Sequence, residues 1–362
     1  MVTALLQKAL RRSLDQVRHV SPVRMGGGPA GAGRDGDGTV ARVYRQAERD
    51  FGMLAPPVAL HSPAAGPLAA SWMMLRESLL ADGQVSRATK EAVAAAVSLG
   101  NSCPYCITVH ATTLSGLLGT ATGAAVSADD IDSIPDPRTR AVARWARRSG
   151  SRPDSRSCDV PFPREQASEI AGVAVTFHYL NRMVDIFLAD SPLPPTVPGP
   201  ARGSALRVLG RFMSNAARAG HPPGASLELL PAAPLPEDLA WAAGSPHVAE
   251  AFARASAAIE TAGRQHVPAS VRAALHARLA RWDGGPPGLS RSWVQDEVSS
   301  LPPGERAAGR LVLLTALASY QVDQQVIDAF RWHQPSDQAL VSATSWASMT
   351  AARQVGCWLR LT

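Results

Sequence analysis

Cysteine is scarce in this chain. Four occur among 362 residues, Cys103, Cys106, Cys158 and Cys357. One close pair with two distant singles is not the framework of a small secreted domain stapled by disulfides, so a reducing compartment is the expectation. Lysine is scarcer still: Lys8 and Lys90 are the only two, and the net charge of +6 rests almost wholly on arginine. Those arginines do not interleave with aromatics as a base-stacking platform requires, which argues against a nucleic-acid binder. A basic surface can still steer an acidic protein or a carboxylate-bearing substrate. No apolar run approaches the ~20 residues of a membrane span; the longest is 92–99, with Ser98 inside it. Near the N-terminus Lys8, Arg11 and Arg12 are followed by Ser13, Asp15, Gln16 and Arg18, where an export signal needs an apolar core. A soluble, cytoplasmic protein without a membrane partner is expected. Period-two alternation of β-branched residues is nearly absent, and no GxGxxG or P-loop pattern opens a helix, so neither a sheet nor a nucleotide or flavin cofactor is implied.

What remains is helical. Segments rich in Ala, Leu, Val and Arg recur between Pro/Gly/Asp clusters, which predicts an all-α chain, and its length suits two domains. Residues 1–38 read as an amphipathic helix over 3–20, with Leu6, Leu10, Leu14 and Val17 on one stripe, and then a glycine-rich linker. A first globular unit over 39–190 predicts helices near 40–51, 67–81, 86–99, 103–118, 136–148 and 164–188. Residues 191–235, dense in proline, read as a connection interrupted by one helix near 204–219.

The second unit, 236–362, echoes the first. Ser62-Pro63 before an apolar helix matches Ser245-Pro246, Val85-Ser86-Arg87 matches Val267-Pro268-Ala269, and the closing helix with Arg182 matches one with Arg353. Setting Val85 against Val267 places Ala273 opposite Glu91, Gly285 opposite Cys103, Gly288 opposite Cys106 and Ser292 opposite His110. The second unit therefore lacks the chemistry of the first.

That chemistry centres on Ser102-Cys103-Pro104-Tyr105-Cys106-Ile107-Thr108-Val109-His110. At about 100° per residue Cys103, Cys106 and His110 project from one helix face. Gly100 ends the preceding helix, Asn101 or Ser102 caps the next, and Pro104 sits where a missing N–H is harmless. Thiols at a helix N-terminus are biased toward thiolate, and His110, one turn beyond Cys106, can accept a proton. Glu91 stands twelve residues before Cys103 on a helix apolar nearly all round; it is either a surface partner of Arg87 or a buried proton relay to His110. Zinc bound by Cys103, Cys106 and His110 would need a fourth ligand that no second CxxC or HxxxH supplies, a thioredoxin CxxC would follow a strand, and two inert core thiols remain a further reading.

Glu91, eleven residues, then Cys103-x-x-Cys106-x-x-x-His110 resembles the active-site signature of the alkylhydroperoxidase (AhpD-like) branch of the carboxymuconolactone decarboxylase superfamily. The segment from Glu169-Ile170-Ala171 to Phe177-His178-Tyr179-Leu180-Asn181-Arg182 resembles that family's closing helix, and the likeness covers about 56–188. The resemblance implies an AhpD-like helical fold, duplicated here as an internal pseudo-dimer with one silent site. It also implies Cys106 as the peroxide-attacking thiol, Cys103 as the resolving thiol, and His110 with Glu91 as proton relay; with the nucleotide motifs missing, neither a cofactor nor a metal is expected. Expected partners are a small-molecule hydroperoxide, an external dithiol such as a lipoyl protein or small redox protein, and further copies in a homo-oligomer. Tyr105 departs from the best-known peroxidases, which carry histidine between the cysteines. Two other functions stay open: a redox sensor or scaffold on the same fold, and a biosynthetic enzyme using Glu91 and His110 for proton transfer. His178 and Tyr179 read as core residues, Cys158 and Cys357 as single thiols, and the eight tryptophans as packing.

Overall fold

The computed structural model describes residues 13–24, 38–157, 159–194 and 196–361, and among these every regular element is helical. The first unit runs α1 (Thr39–Asp50), α2 (Ala65–Leu75, continued by a π-helical turn Arg76–Leu80), α3 (Arg87–Gly100), α4 (Pro104–Leu118), α5 (Thr120–Ser127), α6 (Pro137–Arg148) and α7 (Arg164–Phe187). Short helical turns lie at Pro56–Ala59 and Arg152–Ser157. The connection carries α8 (Gly199–Ala216). The second unit follows as α9 (Pro246–His266), α10 (Ala269–Ala280), α11 (Ser292–Ser299), α12 (Arg306–Leu317), α13 (Gln324–His333) and α14 (Asp337–Gly356). Local chemistry sets the starts: the Ser86 side chain accepts from Thr89 N–H ahead of α3, and Asp136 does the same for Thr139 ahead of α6. Helix α5 was not expected from the sequence.

Matching helices of the two units face one another. Helix α2 packs on α9 and α7 on α14, so the two units meet helix to helix. Within the second unit α9 also lies tight on α14, since a Cβ on Gly263 would run into the Trp346 ring. Polar ties cross between the units: the Tyr179 hydroxyl donates to Ser345 Oγ at 3.2 Å, and Arg182 donates to the Ala316 carbonyl at 2.8 Å. One continuous apolar core, from Val40 through Trp72, Phe177 and Phe252 to Trp346 and Trp358, runs through both units. Among the described residues no helix is long and apolar enough to cross a membrane.

Several expectations change. Of the helix foreseen over 3–20, residues 3–12 lie outside the described residues, as do residues 25–37 of the glycine-rich linker; Ser13–Gln16 form a 3-10 turn. The segment is pinned to both units by Arg18 N–H to Phe187 O and Ser21 N–H to an Asp337 carboxylate oxygen. Trp332 is 86% exposed and packs on little. Gly285 and Gly288 fall in the loop before α11 rather than in a helical turn, because that helix starts only at Ser292. The connection is more than a spacer: a Cβ on Gly210 of α8 would meet Thr112 at 2.5 Å, so α8 lies hard against α4.

Candidate active site

The site begins at the turn between α3 and α4. Cys103 N–H bonds back to Ser98 O at 3.0 Å, Ser102 adopts φ 54° in the left-handed region, and Cys103 itself, rather than Asn101 or Ser102, is the N-cap of α4. Its carbonyl accepts from Ile107 N–H, while Pro104 takes the first helical position. Asn101 instead turns toward α7, donating to Asn181 Oδ1 at 2.8 Å and lying 3.1 Å from His178 Nδ1. Asn181 donates in turn to Ser98 Oγ, and His178 Nε2 meets Ser149 Oγ at 2.9 Å. Burial holds His178 neutral, with its pKa lowered to about 3. His178 and Asn181 thus brace the turn that carries the thiols, and Tyr179 is a satisfied core residue.

Both readings of Glu91 meet in one carboxylate. It is 1% exposed. One oxygen pairs with Arg87 one turn earlier on α3 at 2.8 Å, and the other lies 2.6 Å from His110 Nδ1. Burial alone would raise its pKa, but the charges and hydrogen bonds of Arg87 and His110 prevail and hold it at about 2. The His110 ring is fixed from the side by Phe177, edge to face at 4.6 Å. Nδ1 is thus occupied by the carboxylate and Nε2 is the nitrogen left for other work.

Cys106 and His110 line a cavity of about 290 Å³. Its other walls are almost wholly apolar: Tyr105 and Val109 of α4, Leu75, Phe177 and Leu180, then Phe51, Met53 and Pro56, and from the connection Leu193, Val197, Leu209 and Met213. That is about twice the ~150 Å³ of an apolar cavity that takes up benzene. Cys103 is fully buried behind Cys106, and its free thiol neighbours it. Burial, then the proximity of Cys106, pushes the Cys103 thiol well up, opposite to what a helix N-terminus alone suggests.

Sequence reasoning placed Glu91, Cys106 and His110 together, with Cys103 beside them, and the structure does the same. It missed Asp185 of α7, which interacts with Cys103 and accepts a hydrogen bond from Ser319 Oγ of the second unit at 2.7 Å. Nothing in the CxxC spacing points to either residue. It also missed the wall supplied by the connection. Cys357 is exposed, with its sulfur 3.8 Å from Asp238 O, and Cys158 lies outside the described residues.

The sequence profile of the carboxymuconolactone decarboxylase family matches residues 66–147, which holds Glu91, both thiols and His110. A curated relative from Mycobacterium tuberculosis (strain ATCC 25618 / H37Rv), named alkyl hydroperoxide reductase Rv2159c, is 39% identical over 344 residues, 95% of either chain. A crystal structure described as an alkylhydroperoxidase AhpD core, an uncharacterized peroxidase-related protein from Ralstonia eutropha JMP134, is 18% identical, covers 48% of this chain and 90% of its own, and superposes with a TM-score of 0.37. With near-full-length identity of that order on one side and the family profile lying over the thiol site on the other, this chain belongs to the alkylhydroperoxidase-like branch of the carboxymuconolactone decarboxylase superfamily.

Proposed function

We propose that the protein is a thiol-dependent peroxidase that reduces organic hydroperoxides through Cys106 and Cys103. The observation that carries this reading is the buried Glu91–His110 pair beside Cys106, at the wall of an apolar cavity. Glu91 fixes the His110 ring and supports an imidazolium, so His110 can take the Cys106 proton. The thiolate attacks the outer oxygen of the hydroperoxide, the O–O bond breaks, and the alkoxide leaves as alcohol with the proton His110 held. Cys106 is left as a sulfenic acid, and Cys103 then displaces water to close the Cys103–Cys106 disulfide. An apolar cavity favours a substrate with an organic group over hydrogen peroxide, since burying a methylene is worth about 0.8 kcal/mol.

Regeneration needs an outside dithiol. The apolar walls and the burial of Cys103 favour a slender one, such as a lipoyl arm or the exposed thiol of a small redox protein, attacking Cys106 through the cavity. Family membership supports a peroxidase-type enzyme. Turnover of cumene hydroperoxide with excess dithiol, compared with Cys106→Ser, tests it. Complete loss in the variant is expected. Undiminished turnover removes the mechanism, and a different activity dependent on Glu91 but not on Cys106 points to proton-transfer chemistry instead.

A further inference from the structure

We infer that Asp185, held in place by Ser319 of the second unit, is the base for the resolving thiol and takes the Cys103 proton as the disulfide closes. This rests on the peroxidase reading, since it concerns the second step at the same site. Cys103 is fully buried, so no bulk water meets its thiol to carry a proton away, and a neutral thiol is a poor nucleophile. His110 serves the other sulfur: it faces the cavity with Cys106, and its Nδ1 is taken by Glu91.

Asp185 has the required placement. It stands on α7 eight residues beyond Phe177, the residue that flanks His110, so the same helix presents a neighbour to each thiol's partner. Its carboxylate interacts with the Cys103 thiol and accepts the Ser319 hydroxyl at 2.7 Å. Ser319 belongs to the short turn Ser319–Gln321 that follows α12, so the unit without the thiol pair contributes to this one. The charges around Asp185 are few. Arg182, one turn earlier, donates to the Ala316 and His178 carbonyls and lies 5.8 Å over the Trp282 ring; its charge supports the carboxylate, and Asp190 opposes it. Burial outweighs the Ser319, Cys103 and Arg182 contributions and pushes the Asp185 pKa up to about 6, a value suited to a base that works near neutrality.

The step balances. Cys103 sulfur attacks Cys106 sulfur, the S–O bond breaks and the S–S bond forms; Cys103 is oxidised and Cys106 reduced, the oxidising equivalents having come from the hydroperoxide. The Cys103 proton passes to Asp185. The departing hydroxide leaves as water with a proton delivered through His110 from the solvent side, and Asp185 later returns its own to solvent.

The experiment follows closure directly. Reduced wild type and Asp185→Asn each receive one equivalent of tert-butyl hydroperoxide, and samples are quenched with dimedone and mapped by mass spectrometry. Wild type is expected to give the Cys103–Cys106 disulfide, and Asp185→Asn to accumulate the Cys106 dimedone adduct with closure slowed about a hundredfold. Should Asp185→Asn fold poorly, Ser319→Ala keeps the carboxylate and removes only its donor. Closure in wild type should rise with pH through about 6, and Ser319→Ala should move that midpoint upward, a shift that loosened packing alone does not produce. A parallel arm uses diamide, which activates Cys106 without peroxide chemistry yet still requires the Cys103 proton to leave. If hydroperoxide oxidises neither protein while diamide closes wild type faster, the peroxidase reading falls and the role of Asp185 stands. Equal closure rates with diamide, or an unmoved midpoint in Ser319→Ala, overturn the inference.

Discussion

Glu91 is ionised at the cost of burial; the Arg87 guanidinium on one oxygen and the His110 ring nitrogen on the other make that possible. The linkage has a definite sign. Its folded pKa of about 2 lies below the ordinary 4.5, so the stabilisation is present above pH 4.5 and fades as pH falls toward 2. A shift of that size corresponds to roughly 3 kcal/mol. Glu91→Gln should therefore flatten the acid limb of the stability curve between those values, measurable by urea melts at several pH values. In a Cys103→Ser background the same change should slow iodoacetamide alkylation of Cys106 at pH 7 by about tenfold, because the imidazolium loses its anionic partner. Matching alkylation rates would take Glu91 out of the mechanism. This part of the site was legible because one helix-turn-helix holds it: three-, four- and twelve-residue spacings fix which side chains can meet. Asp185 was not legible, since its relation to Cys103 depends on how α7 lies across the start of α4, and Ser319 comes from more than a hundred residues further on. The cap was misplaced for a local reason: Asn101 is drawn away by Asn181 and His178, leaving Cys103 to fill the position.

Proline content alone marked 191–235 as a connection, yet α8 and the residues before it form a wall of the cavity. Composition reports that a segment cannot continue a helix; it does not report what the segment covers. The contact of α8 with α4 depends on Gly116 and Gly210, whose added Cβ atoms would meet Ser214 at 2.4 Å and Thr112 at 2.5 Å. Gly210→Ala should push the two helices apart, lowering stability by about 1–3 kcal/mol and exposing Cys106 to a bulky charged reagent such as Ellman's disulfide. Filling the cavity should act in the other direction. Met213→Trp is expected to lower kcat/KM for cumene hydroperoxide by about tenfold or more while affecting hydrogen peroxide less, read from initial rates with dithiol in excess. An equal loss for both substrates would mean that α8 does not set substrate size.

At the scale of the whole molecule, the Ser-Pro, Val and arginine landmarks suggested which helices of the two units correspond, and the pairs they single out, α2 with α9 and α7 with α14, are in contact. The residue register was less readable, because α11 is short and begins at Ser292, leaving Gly285 and Gly288 in a loop. A continuous core through both units predicts one cooperative unfolding transition; two separated transitions by calorimetry would show units that melt independently. Having both units on one chain also changes how the site answers to mass action. Where a thiol site is completed by a separate subunit, its integrity falls with protein concentration once that nears the dissociation constant. Here Ser319 and the partner helices arrive on the same chain, so encounter is intramolecular and effective concentration is set by the tether. Specific activity per mole should then stay constant on dilution from micromolar to nanomolar protein.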